Sequence, residues 1–314
     1  EPVVRLMGAS APEPLDLNPL PNGNVVVYYS TSVQVVDAHG ATVREAPLEQ
    51  APAMVAFGPS GESALVTAGA VARFTAEGER AGSIQVDEMP ALVTVSRDRT
   101  ALAYANTVEV YHADDRVLAL EGLRPHAMAL APDGALALLT GSPPDARLLL
   151  YDADGELLLD RPVAPDGEGF GFLADGRNVA VGSAVYDRAG QSLWRFPIAP
   201  ARISALADGE DVLAWNLQQA ALVKADDGTA RWAAEVEAGS ILQASGPARG
   251  DGVVLLTSDE EGAALWVIDE SGTKRHSERL SDVPVDAAVS GEQLLLLTAE
   301  GLKVRPLGAL DPLD

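Results

Sequence analysis

A tight-turn signature returns along this chain about every 38 residues, and that period restricts its possible folds more than any other feature. The turns read PNGN at 21–24, PSGE at 59–62, SRDR at 96–99, PDGA at 132–135, ADGR at 174–177, ADGE at 207–210, RGDG at 249–252 and SGEQ at 290–293. Gly, Asn and Asp supply the positive φ that short hairpins require. A short apolar run follows each turn, for example VVVYY at 25–29, ALALLT at 135–140 and QLLLLT at 293–298. These runs are continuous rather than alternating, and too short for ordinary helices. They fit strands buried on both faces.

A second turn class lies further along each repeat: VDAHG at 36–40, FTAEG at 74–78, YHADD at 111–115, YDADG at 151–155, YDRAG at 186–190, KADDG at 224–228 and IDESG at 268–272. The Asp-x-Asp spacing of YDADG suggests a calcium loop when read alone. In the aligned turns the pattern dissolves, and an EF-hand loop needs a longer ligand run ending in a bidentate glutamate. YDADG is therefore read as a hairpin turn. A fourth segment leaves each second turn, such as QSLWRFPI and TARWAAEV, and a last one enters the next tight turn.

Four antiparallel strands per repeat, repeated eight times, predict an all-β, eight-bladed β-propeller, with seven blades as the second choice. The blades fall at approximately 15–48, 52–87, 90–121, 125–163, 167–198, 201–237, 239–280 and 283–308, in one propeller domain spanning 1–314. The last repeat has three strands. PVVRLM at 2–7 is expected to complete it and close the ring.

The phrases YDRAGQSLWRFPI (186–198), KADDGTARWAAEV (224–236) and VIDESGTKRHSERL (267–280) resemble the Asp-x-x-Gly-x-x-x-Trp phrase of the quinoprotein-like (PQQ-like) and WD40-like β-propeller repeat superfamily. The resemblance covers about three of the eight repeats and implies a fold, with Trp194 and Trp232 docked between adjacent blades. The eight-repeat count is similar to that of the periplasmic scaffold lipoproteins of outer-membrane protein assembly. Catalytic quinoproteins hold their cofactor with a vicinal disulfide, a calcium ion and a stacked tryptophan. This sequence has no cysteine, so the resemblance implies a non-catalytic member, and no cofactor is expected.

Composition narrows the partners. The formal net charge is -24. Nucleic-acid binding rests on Lys and Arg releasing counterions, so a nucleic-acid partner is not expected. No apolar run approaches the roughly 20 residues that span a bilayer, so no direct bilayer insertion is expected. Cysteine is absent, which is compatible with an oxidising compartment, and the sequence opens at Glu1 without methionine. An extracytoplasmic location, periplasmic or secreted, is the expectation.

No pair of histidines has ligand spacing on one element. His39 and His112 fall in second turns, and His276 in a fourth strand. His126, beside Arg124 in GLRPHAMAL, falls where a segment enters a blade. GPSGE at 58–62 reads as a turn rather than a nucleophile elbow, and GEGFGF at 167–172 lacks the strand-to-helix context of a phosphate cradle. Three stretches joining second and third strands break the short-loop rhythm: GSPPDAR at 141–147, NLQQ at 216–219 and TSDEEGA at 257–263. Loops carry function more often than strands do. The expected function is a non-catalytic protein-binding scaffold within a larger complex, a membrane-associated one included. Its candidate contacts are Trp215, Asn216, Gln218, Asp259, Glu260, Arg124 and His126. The alternative is a metal-assisted hydrolase or lactonase-like enzyme using the axial pocket, for which Asp16, Asn18, Asp166, Glu168 and Asp286 lie near inner-strand starts.

Overall fold

The computed structural model describes residues 13–306 except 21, 38, 59–60, 174–175, 207–208, 237–238, 247–252, 270, 282 and 291–292. The described residues form eight antiparallel sheets, seven of four strands and one of three. Blade 1 runs through Pro14–Pro19, Val25–Tyr29, Ser32–Val36 and Thr42–Pro47. The remaining inner strands are Met54–Phe57, Leu92–Ser96, Pro125–Leu130, Phe170–Phe172, Arg202–Ala205, Ser240–Ser245 and Asp286–Ser290, for blades 2 to 8. The inner strands of blades 2 to 6 follow one another around a common axis, as do those of blades 7, 8 and 1, and shared core clusters join blade 1 to blade 2 and blade 6 to blade 7. This is the eight-bladed propeller expected from the turn spacing. The segment 2–7 lies outside the described residues.

The meander sorts every connection onto one of two faces. Each inner strand starts on the face that carries the blade-to-blade crossovers, and each second strand ends there. The loops joining second to third strands therefore share this crossover face. The tight turns that revealed the period lie on the opposite face.

The continuous apolar runs now have a physical explanation. Residues alternate sides along a strand. In blade 1, Val25, Val27 and Tyr29 pack toward blade 8, while Val26 and Tyr28 pack toward blade 2. In blade 7, Val253 and Leu255 face blade 6, while Val254 and Leu256 face blade 8. Both faces of each second strand are buried, so neither can be polar. The buried apolar side chains form eight clusters, and each spans a single blade interface. Leu17 and Val27 against Ala288, Leu295 and Leu297 close the ring.

Glycine seats one side chain of the preceding blade. Gly228, at φ +71, sits on the indole of Trp194, and Gly272, at φ +82, sits on Trp232. A Cβ at Gly228 would lie 2.4 Å from the Trp194 ring. The two tryptophans thus stand between blades 5 and 6 and between blades 6 and 7. Leu118 and Leu159 take the same place against Gly155 and Gly190. Blade 3 departs from the pattern, since Arg97 and Ala113 both adopt φ 51 without glycine.

Three substitutions test this packing. Gly23 (φ +89) has open space around it, so Gly23→Ala is expected to lose only the left-handed backbone preference, about 1–2 kcal/mol. Gly228→Ala adds overpacking against Trp194 and should lose about 1–3 kcal/mol more. Urea denaturation of the two variants measures the difference. Ala113→Gly relieves the same strain and should raise the urea midpoint, gaining about 1 kcal/mol.

Candidate functional site

The inner strands enclose an axial cavity of about 920 Å³. Its three charged lining residues, among those described, are Asp16, Asp286 and Arg202. Asp286 opens the inner strand of blade 8 and Arg202 that of blade 6, so both stand at the crossover-face end of the cavity. Asp16 lies near the start of the inner strand of blade 1, just after a bulge at Leu15. Alternation then brings Asn18, Ser204, Gln243 and Ser245 to the same lining. Blades 2, 4 and 5 contribute Phe57, Leu130 and Phe172. The polar side chains of the lining come from blades 6, 7, 8 and 1, interleaved with apolar ones, while Phe57, Leu130 and Phe172 end their inner strands toward the tight-turn face.

Asp16 and Asp286 meet where the first and last blades close. Asp286 is 7% exposed. Its Oδ2 accepts the Leu17 N–H of blade 1 at 3.1 Å, and its Oδ1 accepts the Ala287 N–H at 2.7 Å. The two side chains also hydrogen-bond to each other, and two carboxyls can do so only around a proton. Burial raises the pKa of both, and the neighbouring Asp16 helps push Asp286 up to about 8. The charge of Arg202 acts on Asp16 in the opposite sense. Arg202 is exposed and holds no hydrogen bond or ion pair among the described residues.

The residues singled out from sequence are distributed as follows. Asp16, Asn18, Asp286 and Trp215 line the cavity. Trp215, 6% exposed, also packs into the core between blades 6 and 7. Asn216 builds its own turn: its Oδ1 accepts the Gln218 and Gln219 N–H groups at 2.9 and 2.8 Å, and its Nδ2 donates to the Ala199 carbonyl at 3.0 Å. Gln218 beside it is exposed. Asp259 pairs in bidentate fashion with Arg279 at 2.6 and 2.7 Å, and Glu260 is exposed. TSDEEGA is not a loop insertion: the strands Val253–Asp259 and Gly262–Ile268 are extended and meet in a two-residue turn. Arg124 is exposed, and His126 is the bulged, exposed residue between Pro125 and Ala127. Asp166 turns to its own blade, accepting from Ser183 Oγ at 2.7 Å and pairing with Arg195 at 2.6 Å. Glu168 is exposed and outside the cavity lining. Among the described residues, no group of three or more His, Cys, Asp or Glu is placed to hold a metal ion.

Arg202, Gln243 and Ser245 were missed from sequence. Their signal was available in register, because each lies on an inner strand at alternate spacing from a neighbour that also faces the axis.

The carboxyl pair predicts a pH dependence. Asp286 holds its proton more tightly in the folded chain than in the unfolded one, where a carboxyl titrates at about 3.9. The stabilisation is complete below that value and is lost as pH rises through about 8. Asp286→Asn removes the titration and, with one acceptor oxygen, keeps only one of the two backbone hydrogen bonds, a loss that does not vary with pH. Urea midpoints of the parent chain should fall relative to Asp286→Asn between pH 5 and pH 9, by more than about 1 kcal/mol. Parallel pH profiles for the two would show that the pair does not share a proton.

The fold has relatives among solved structures. BamB from Moraxella catarrhalis matches with a TM-score of 0.58 and 14% identity, over 92% of this chain and 95% of that one. The dihydro-heme d1 dehydrogenase NirN, in complex with DHE, matches with a TM-score of 0.67 and 15% identity, over 98% and 75%. Kuenenia stuttgartiensis hydrazine synthase matches with a TM-score of 0.52 and 12% identity, over 98% and 99%. At such identities the likeness is one of fold. No family model and no curated protein matches the sequence.

Proposed function

We propose that this protein is a non-catalytic propeller that binds a protein partner through its crossover face. The observation that carries this reading is an apolar arc over three consecutive blades. Leu217 is 65% exposed, on the second-to-third-strand turn of blade 6. Leu242, the bulged residue at the start of blade 7, is 41% exposed. Val283 and Val285, on the crossover into blade 8, are also exposed. The Ile241 N–H donates to the Leu217 carbonyl at 2.7 Å, which brings the first two together. Leu242 and Val285 sit at the rim of the axial cavity. Exposed large apolar side chains gathered on one face mark interaction sites.

The polar contacts proposed on this face are Trp215, Asn216, Gln218, Asp259, Glu260, Arg124 and His126, all from connections or strand ends on the crossover side. Trp215 would act from its position at the cavity wall. A net charge of -24 favours a basic or polar partner and steers it at low salt. An extracytoplasmic setting within a larger assembly belongs to the same reading, and the cysteine-free sequence is compatible with it.

Immobilised protein, incubated with native extract, is expected to retain a defined partner. Leu217→Asp with Leu242→Asp should lower its recovery at least tenfold. Val43→Asp, on the outer rim of blade 1, should leave recovery unchanged, and circular dichroism should show all variants folded. Equal recovery by the parent chain and the Leu217/Leu242 variant would overturn the reading.

A further inference from the structure

We propose that the axial cavity binds a short apolar peptide with both ends free, its ammonium group on the Asp16–Asp286 pair and its carboxylate on Arg202. This goes beyond the crossover-face reading and does not rest on it.

Three observations converge. The first is shape: a cavity of about 920 Å³ lies at the upper end of the range, roughly 300–1,000 Å³, that holds small ligands. Most of its lining residues are apolar, as in such sites generally, although polar atoms supply the larger part of the exposed surface.

The second is the arrangement of charge. The three described charged side chains of the lining all belong to blades 6, 8 and 1. They separate by sign, carboxyls at the seam and a guanidinium on the inner strand of blade 6, with blade 7 between. Arg202 has no hydrogen-bonding or ion-pair partner among the described residues. A guanidinium presents a planar fork suited to a carboxylate. A ligand bearing one charge would satisfy only one of these poles. A ligand with both charges, spaced across blade 7, satisfies both.

The third is the wall opposite. The half-buried Phe57 and Phe172 edge the lining on the other side of the ring, each at the tight-turn end of its inner strand. One face of Phe172 is already covered by Arg188, 5.8 Å from the ring centroid. Gln243 and Ser245, on the strand between the charged poles, provide neutral donors and acceptors where the peptide backbone would pass. Among the described residues, the charged and titratable groups facing the carboxyl pair are Arg202 and the Tyr28 hydroxyl. The latter is buried and donates to Ser63 Oγ at 2.8 Å, so it does not compete for the ammonium group.

Calorimetric titration with leucyl-leucyl-phenylalanine at pH 7 tests this directly, beside its N-acetylated and C-amidated forms. The free peptide is expected to bind at least tenfold more tightly than either capped form. Arg202→Gln should weaken the free peptide and abolish its preference over the amide, while keeping its preference over the N-acetyl form. Asp16→Asn with Asp286→Asn should do the converse, removing the penalty for N-acetylation alone. Thermal unfolding checks that each variant remains folded. Equal binding of free and capped peptides, no binding at millimolar concentration, or binding indifferent to Arg202→Gln would each overturn the proposal. The outcome is independent of the Leu217 and Leu242 variants, which leave the charged poles intact.

Discussion

Face-to-face packing of neighbouring blades is the interaction on which the rest of the structure depends. A four-stranded sheet whose second strand is apolar on both sides cannot bury itself alone. Each blade supplies half of two clusters and completes neither. The only arrangement that leaves no such face in water is a closed ring. Most interfaces join blades that follow each other in sequence. One joins the first to the last, where the Leu17 N–H reaches Asp286 across 269 residues. Loop-closure entropy grows only slowly, by about 0.6 kcal/mol per doubling of length. The apolar contacts of Leu17, Val27, Ala288 and Leu295 therefore offset it readily, and the seam needs no covalent staple.

The ion pairs play a different part. Arg44–Glu79, Arg188–Asp133 and Arg305–Glu278 each cross a blade interface at its solvent edge. Such exposed pairs are worth about 0–1 kcal/mol each, too little to hold blades together. Their effect is local: they hold neighbouring turns in register and neutralise part of an acidic surface. Arg188 beside Asp133 and Arg279 beside Asp259 hold those carboxyls below their ordinary pKa. Those two carboxyls keep their charge further into acid than an ordinary one does. Arg73 differs, being almost fully buried between blades 2 and 3, with Asp114 and the Asp98 carbonyl as acceptors. Removing its partner would strand a charge in the core.

How far the sequence disclosed this follows from which positions physics constrains most. Turn residues and buried strands are constrained by backbone φ and by burial on two sides, so PDGA followed by ALALLT was legible as a turn and a core strand. Trp194 and Trp232 were legible because a large ring after an Asp-x-x-Gly turn needs the bare backbone of a glycine to rest on. Blade 3 was harder, since Arg97 and Ala113 hold left-handed turns without the residues that usually announce them. The cavity was only half legible. Asp16, Asn18 and Asp286 stood out by chemistry, but Asp166 and Glu168 looked equivalent to them. The difference is one of phase: Asp166 precedes its inner strand and turns to Ser183 and Arg195 instead of the axis. Arg202 carried no sign at all until the register placed it.

Around the axis the symmetry of the ring breaks, and this is informative because folding does not demand it. At the interfaces every blade must offer apolar side chains, and all do. The axial positions carry no such requirement, since small polar residues in all eight blades would serve a solvated channel equally well. Instead, Asp16, Asp286, Arg202 and Gln243 fall on four adjacent blades, and Phe57, Leu130 and Phe172 on the other side. Part of this has a structural reason. Asp286 accepts the Leu17 and Ala287 N–H groups, and so stitches the seam where two blades distant in sequence meet. That reason covers one carboxyl, since asparagine, with a single acceptor oxygen, would meet only one of the two N–H groups. It does not explain a second carboxyl against the first, which must share a proton to stay there, nor, two blades away, a guanidinium with no hydrogen-bond or ion-pair partner among the described residues. Carboxyls held out of water against their own preference gather at sites that bind or react, and it is on this ground, with the cavity around them, that a ligand is proposed on the axis.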